Sequence, residues 1–135
     1  MEIYKSKYLH MAYFAEQSLI EGTWLSETKM MDTADCKKEY LDYLDTVSKH
    51  QHTRLVVDMR TMFFTYNPEV QAWIDLAIFP SLLSLGLRRI AFVVSHDFFA
   101  TLSTKQMMGE LNGIKFTNGY FDSKETAKAW ALSAD

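Results

Sequence analysis

Residues 54–94 read RLVVDMRTMFFTYNPEVQAWIDLAIFPSLLSLGLRRIAFVV, and their order decides the fold class. Arg54-Leu55-Val56-Val57-Asp58 is a short apolar run closed by an acid, the pattern of a strand buried on both faces. Arg89-Ile90-Ala91-Phe92-Val93-Val94 repeats it. Between the two, Asn67 can cap and Pro68 can occupy the first turn of a helix running to about Ser84, with Gly86 as its stop. Strand, helix, strand is a βαβ unit, whose strands lie parallel and whose crossover is right-handed.

The flanks extend this unit on both sides. Upstream, Tyr8–Ala15 and Leu19–Leu25 are rich in aromatic and aliphatic residues, and Glu16-Gln17 between them suits a hairpin connection. From about Thr33 to Lys49 the residues Cys36, Tyr40, Leu44 and Val47 recur at helical spacing, with Asp32 or Thr33 as the cap. Downstream, Ser95 opens a short helical turn through Phe98 and Phe99. Ser103-Thr104-Lys105-Gln106 has the spacing of a capping box for a second helix ending near Asn112-Gly113. A last strand is expected at about Lys115–Tyr120. Asp122-Ser123-Lys124-Glu125 is a further capping box, and Ala127, Trp130 and Ala131 give the closing helix its packing stripe. The pattern predicts an α/β fold: a mixed sheet of about five strands, formed by the hairpin plus parallel strands, with about four or five helices.

Composition sets the bounds. The chain has 135 residues, 48% apolar and 23% charged, which suits one globular domain over residues 1–135 and argues against a disordered tail or a disulfide scaffold. Its 14% aromatic content promises more apolar surface than one core consumes. Fourteen Lys and Arg against 17 Asp and Glu leave a net charge of -3, without the basic footprint that neutralises phosphates, so no nucleic-acid partner is expected. The lone Cys36 makes no internal disulfide, and the opening MEIYKSKYLH lacks the apolar core of a secretory signal; a reducing cytoplasm is the expected setting. The longest uncharged stretch, Leu76 to Leu87, falls well short of the roughly 20 apolar residues that span a bilayer.

The strand ending VVDMR, the helix opening NPEVQAWIDLAIFP, the strand RIAFVVS, then HDFFATLSTKQMM and the terminal YFDSKETAKAWAL together resemble the SpoIIAA-like family of the STAS superfamily. These small α/β domains are grouped with anti-sigma-factor antagonists and with SEC14-like lipid-binding folds. The resemblance covers nearly the whole chain and rests on a pattern of elements, which speaks to fold more than to activity. In anti-sigma-factor antagonists, a serine two residues after the aspartate that closes a central strand is phosphorylated. Asp58 matches that aspartate, but the serine position holds Arg60, and the nearest hydroxyl is Thr61. The phospho-switch therefore does not carry over by name.

Read without the family, the strand ends offer the densest polar convergence: Asp58, Arg60 and Thr61 after one strand, Ser95, His96 and Asp97 after the next. Ligands of open parallel sheets sit beyond such carboxyl ends. Arg60 would clamp an anion, His96 carry a proton, and Ser95 donate at a helix N-terminus. The plainer reading makes Ser95 and Asp97 caps and Asp58–Arg60 a surface pair worth under about 1 kcal/mol. His50-x-His52 lacks a third ligand at a recognised spacing, so no metal is expected, and no cofactor fingerprint is present.

The helix from Asn67 to Ser84 is apolar nearly all round. Trp73, Leu76, Phe79 and Leu83 are the candidate surface for a second copy of the protein, a partner or an apolar ligand. Three functions follow: a non-enzymatic regulatory or protein-interaction module, expected to be a homodimer; a SEC14-like carrier of a small lipophilic ligand, which requires an apolar cavity between the long helix and the sheet; and an enzyme using Arg60 and His96, which requires both to face one pocket.

Overall fold

The structure is a computed structural model that describes residues 1–95 and 98–133, with residues 98–101 described by their backbone. Six strands form one mixed sheet in chain order: β1 (Glu2–Lys5), β2 (Leu9–Phe14), β3 (Leu19–Trp24), β4 (Arg54–Asp58), β5 (Arg89–Val93) and β6 (Thr117–Phe121). β1, β2 and β3 run antiparallel, and β3 through β6 run parallel. The sequence pattern predicted the hairpin and the parallel strands. It passed over β1, a short edge strand whose pairing with β2 shifts register between Glu2 and Tyr4; four mostly exposed residues carry little of the apolar alternation that marks a strand.

Sequential parallel strands joined by right-handed crossovers put every crossover helix on one face. That face buries α1 (Thr33–Val47), α2 (Pro68–Ala77), α3 (Phe79–Ser84) and α4 (Phe98–Met108) against Ile20, Leu55, Val57, Ile90 and Phe92. The opposite face carries Leu19, Val56, Ala91 and Val93, packed under Ala127 and Ala131 of α5 (Lys124–Leu132). Alternation along β4 thus sends Leu55 and Val57 one way and Val56 the other, as its unbroken apolar run requires. Arg89 ties α5 down from below, its Nη1 donating to the Trp130 carbonyl at 2.7 Å while its guanidinium stacks over the Trp130 ring.

The helix starts follow their caps. Asp32 accepts from the Asp35 N–H at 2.8 Å while the Asp35 carboxylate accepts from the Asp32 N–H at 3.2 Å, a reciprocal cap on α1. Asn67 Oδ1 accepts from the Val70 N–H at 3.0 Å ahead of Pro68, and Ser123 Oγ accepts from the Thr126 N–H at 3.2 Å at the start of α5.

Two expectations are corrected. The helix expected to run unbroken to Ser84 breaks at Ile78 into α2 and α3, because Pro80 lacks an N–H and its ring crowds the carbonyl four residues back. Ser103 and Thr104, read as the start of a helix, lie buried inside α4, which begins at Phe98 and ends at Met108. Composition alone does not separate a capping hydroxyl from one placed mid-helix.

The end of α2 is fixed by Asp75, 2% exposed. Its carboxylate accepts from the backbone N–H of Asn112 at 2.9 Å and of Gly113 at 2.7 Å, while Asn112 Nδ2 donates to the Asp75 carbonyl at 2.9 Å. One side chain thereby clamps the turn between α4 and β6 onto the break between α2 and α3. Gly113 is required there, since a Cβ would stand 2.7 Å from the Met107 carbonyl oxygen. Between α1 and β4, His52 is fully buried; its Nδ1 donates to the His50 carbonyl at 3.0 Å, and its Nε2 has no partner among the described residues. Burial pushes the His52 pKa below its usual 6.5, outweighing the bond to His50.

Asp75→Ala strands two buried amides and is expected to cost about 3 kcal/mol in urea unfolding, with Asp75→Asn recovering only part of the loss. The folded chain binds the His52 proton less readily than the unfolded chain does, so stability is full above the unfolded value and is lost as pH falls from about 6.5 through the folded one. Urea midpoints followed from about pH 7 to about pH 5 are expected to fall for the wild type and to stay flatter for His52→Leu.

Candidate functional site

The polar strand ends come together in part. Asp58 and Val93 are register partners on adjacent strands, so the segments after β4 and β5 leave the sheet side by side. Within the first segment, Arg60 folds back on the acid: Nε donates to Asp58 Oδ1 at 3.0 Å, Nη2 to Oδ2 at 2.7 Å, and the Arg60 backbone N–H to Oδ1 at 3.0 Å. Burial raises the Asp58 pKa, but the hydrogen bonds and charge of Arg60 outweigh it and hold the carboxyl below its usual range. Arg60 is half exposed, and its guanidinium is held charged by the same pair. The Thr61 hydroxyl donates to the Trp24 carbonyl. Ser95 is exposed beyond β5, whereas His96 and Asp97 lie outside the described residues. The pairing of Arg60 with His96 in one pocket is therefore not on view. Arg60 itself is committed to Asp58.

The candidate surface on the long helix divides. Leu76 is 67% exposed. Trp73 is half-buried beneath the Lys37 ammonium, and Leu83 is half-buried against the core. Phe79 is 3% exposed, its ring edge-on to Phe116 at 5.1 Å. Phe79 thus faces inward, because the break at Ile78 rotates α3 relative to the continuous helix that the sequence suggested. Leu76 follows Asp75 in sequence, and Leu111 at 71% and Ile114 at 69% exposed flank in sequence the two amides that Asp75 holds.

An apolar cavity lies between the helical layer and the sheet. Its floor is the inward face of the strands, including Met11, Leu55, Val57 and Phe92. Phe79 and Leu82 of α3 and Met107 and Met108 of α4 close it from above, with Tyr40 and Tyr43 of α1 along one side. Its volume is about 50 Å³. Gly22 lies on the floor, where a Cβ would make ordinary van der Waals contact with Met11 Cγ at 3.8 Å and Leu9 Cδ1 at 3.9 Å. Among the described residues no charged side chain lines the cavity; the polar side-chain atoms of its lining residues belong to Tyr40, Tyr43, Tyr66 and the Trp24 indole. The Tyr40 and Tyr66 hydroxyls pair at 2.8 Å. The Tyr43 hydroxyl is buried with no hydrogen-bond partner among the described residues.

The sequence reading carried such a cavity only as the requirement of the lipophilic-carrier alternative and named Phe79 beside it; its other walls were not identified. The buried stripe of α1 is Cys36, Tyr40, Tyr43 and Val47, with Tyr43 where the helical spacing was assigned to Leu44. A lone glycine inside an apolar strand, Gly22, was the other available signal, since such residues mark a close approach or a gap.

The two histidines do not converge on a metal. Their Nδ1 atoms are spent on the carbonyls of Thr46 and His50, and among the described residues no group of three His, Cys, Asp or Glu is placed to hold an ion. Burial, with the Glu39 charge, pushes the Cys36 thiol up to about 12, which keeps it neutral and inert.

No helix among the described residues is long and apolar enough to cross a membrane. No curated protein and no solved structure matches the chain. A family model described as SpoIIAA-like matches residues 24–132, and the chain belongs to that family.

Proposed function

We propose that this SpoIIAA-like domain is a non-catalytic regulatory module that acts by binding, and that its cavity receives a small lipophilic ligand. The cavity carries the reading. It sits between the long helical run and the sheet, its walls are almost wholly apolar, and four methionines give them adaptable side chains. The commitments of Arg60 to Asp58, of Thr61 to Trp24 and of Cys36 to the core favour binding over catalysis. A second reading rests on a separate observation: Leu76, Leu111 and Ile114 are exposed and each adjoins in sequence a residue of the Asp75 clamp, and burying them against a second copy would make a homodimer.

Toluene titrated into protein carrying 13C-methyl methionine is expected to shift the signals of Met11, Met107 and Met108 while leaving exposed Met30 in place. Gly22→Val puts two methyl groups into the cavity and a β-branched residue into β3, so it is expected to raise stability by about 1 kcal/mol and to abolish the toluene shifts. Absent shifts in the wild type, or equal shifts in Gly22→Val, would count against the ligand reading. For the second reading, light scattering is expected to give twice the chain mass for the wild type and the monomer mass for Leu76→Glu/Ile114→Glu with an unchanged circular dichroism spectrum; a monomeric wild type would refute it.

A further inference from the structure

We infer that the outer edge of β6 is the seam of a homodimer, joined antiparallel to β6 of a second copy about a twofold axis at Gly119. The inference stands on backbone geometry and needs neither the cavity nor a contact at Leu76, Leu111 and Ile114. β6 closes the sheet at one end, and among the described residues its only strand partner is β5. In such a ladder alternate residues of a strand turn both N–H and C=O to the same neighbour. The Thr117 N–H donates to the Arg88 carbonyl at 2.9 Å, and the Phe121 carbonyl accepts from the Val94 N–H at 2.8 Å. With Arg89 level with Thr117 and Val93 level with Phe121, Thr117, Gly119 and Phe121 therefore face β5. Asn118 and Tyr120 turn their N–H and C=O groups outward, where no described residue bonds to them. The Tyr120 ring lies back over the sheet, stacked on its register partner Phe92 at 5.3 Å with the Lys105 ammonium above it at 4.9 Å.

The two edges of the sheet are unlike. β1 carries Glu2 and Lys5 and a register shift in its pairing, the charges and irregularity that keep other strands off an edge. β6 reads Thr-Asn-Gly-Tyr-Phe, with no charge, no proline and a regular register. An edge without those guards is a template for a further strand. A segment of another protein would cover it and leave that segment's own outer edge open. The β6 of a second copy covers both unguarded edges at once and leaves only the two guarded β1 edges outside, so the assembly closes at two. The strand is also complementary to itself. With Gly119 opposite Gly119, Asn118 of each copy faces Tyr120 of the other as a hydrogen-bonded pair that exchanges both N–H···O bonds. No like charges within the strand are brought together, which would weaken such a pair.

Asn118→Pro removes one outward N–H and leaves the ladder to β5 intact, the one kind of strand position where proline is tolerated. Sedimentation of the full chain is expected to give twice the chain mass for the wild type and the monomer mass for Asn118→Pro, with an unchanged circular dichroism spectrum. Amide hydrogen exchange followed by NMR needs no variant: in the wild type, Asn118 and Tyr120 are expected to exchange as slowly as Thr117, Gly119 and Phe121, whose amides bond within the sheet. Should Asn118→Pro fail to fold, that exchange pattern decides alone. A monomeric wild type, or an Asn118→Pro chain that folds and stays dimeric, would overturn the seam. A dimeric wild type with rapid exchange at Asn118 and Tyr120 would also overturn it, while leaving the contact at Leu76 and Ile114 standing; the ligand reading is untouched by either result.

Discussion

Strand β4 has no wet face. Leu55 and Val57 pack beneath the crossover helices and Val56 packs beneath α5, so the sheet has to be covered on both sides around it. The crossovers supply one cover because parallel strands in chain order place their helices on a single face. The other face needs a separate element, and α5 is that element, with Ala127 and Ala131 small enough to sit close over Val56 and Ala91. Burial on both sides then governs the strand's end. Asp58 leaves the sheet nearly buried, and a carboxylate there has to be paired. Arg60, two residues on, closes over it with both side-chain oxygens engaged. Of the polar residues that looked like a binding site by position, Asp58 and Arg60 are in this way paired with each other.

The aromatic and aliphatic surplus has two destinations, and the break at Ile78 separates them. A continuous helix through Ser84 would have kept one face toward the sheet along its length. Pro80 forbids this, and the restart at Phe79 brings Phe79 and Leu82 over the sheet as the roof of the cavity. On the other side of the break, Asp75 anchors the turn after α4, and Leu76, Leu111 and Ile114 remain outside. Buried and exposed apolar groups thus meet at one junction, held by a carboxylate whose partners are backbone amides.

The fold was largely legible because its signals are local. RLVVD and RIAFV announce buried strands, Asn67-Pro68 announces a helix start, and Ser123 announces the last helix; each is a short-range pattern with a physical cause. The SpoIIAA-like pattern of elements was likewise legible, and the family match covers residues 24–132. What escaped was set by long-range geometry. The inward turn of Phe79 depends on the angle at which α3 restarts, the mid-helix burial of Ser103 and Thr104 depends on where α4 begins, and β1 depends on an edge pairing across a register shift. The cavity was the least legible feature. A void is the sum of side chains that fail to meet, and Gly22, Met11 and Tyr43 come from separate elements that only the finished packing brings to one space.

That origin bears on what the cavity is for. A packing defect is expected to close, because methionine side chains rearrange at little cost and apolar voids forgo dispersion contacts on every wall. Met11, Met59, Met107 and Met108 all border this space without filling it, and Gly22 on its floor contributes no side chain to it. The stranded Tyr43 hydroxyl adds a second cost that a phenylalanine would remove. In the proposed reading the cost of the void is recovered when a ligand binds, since natural sequences keep local conflicts mainly where function repays them.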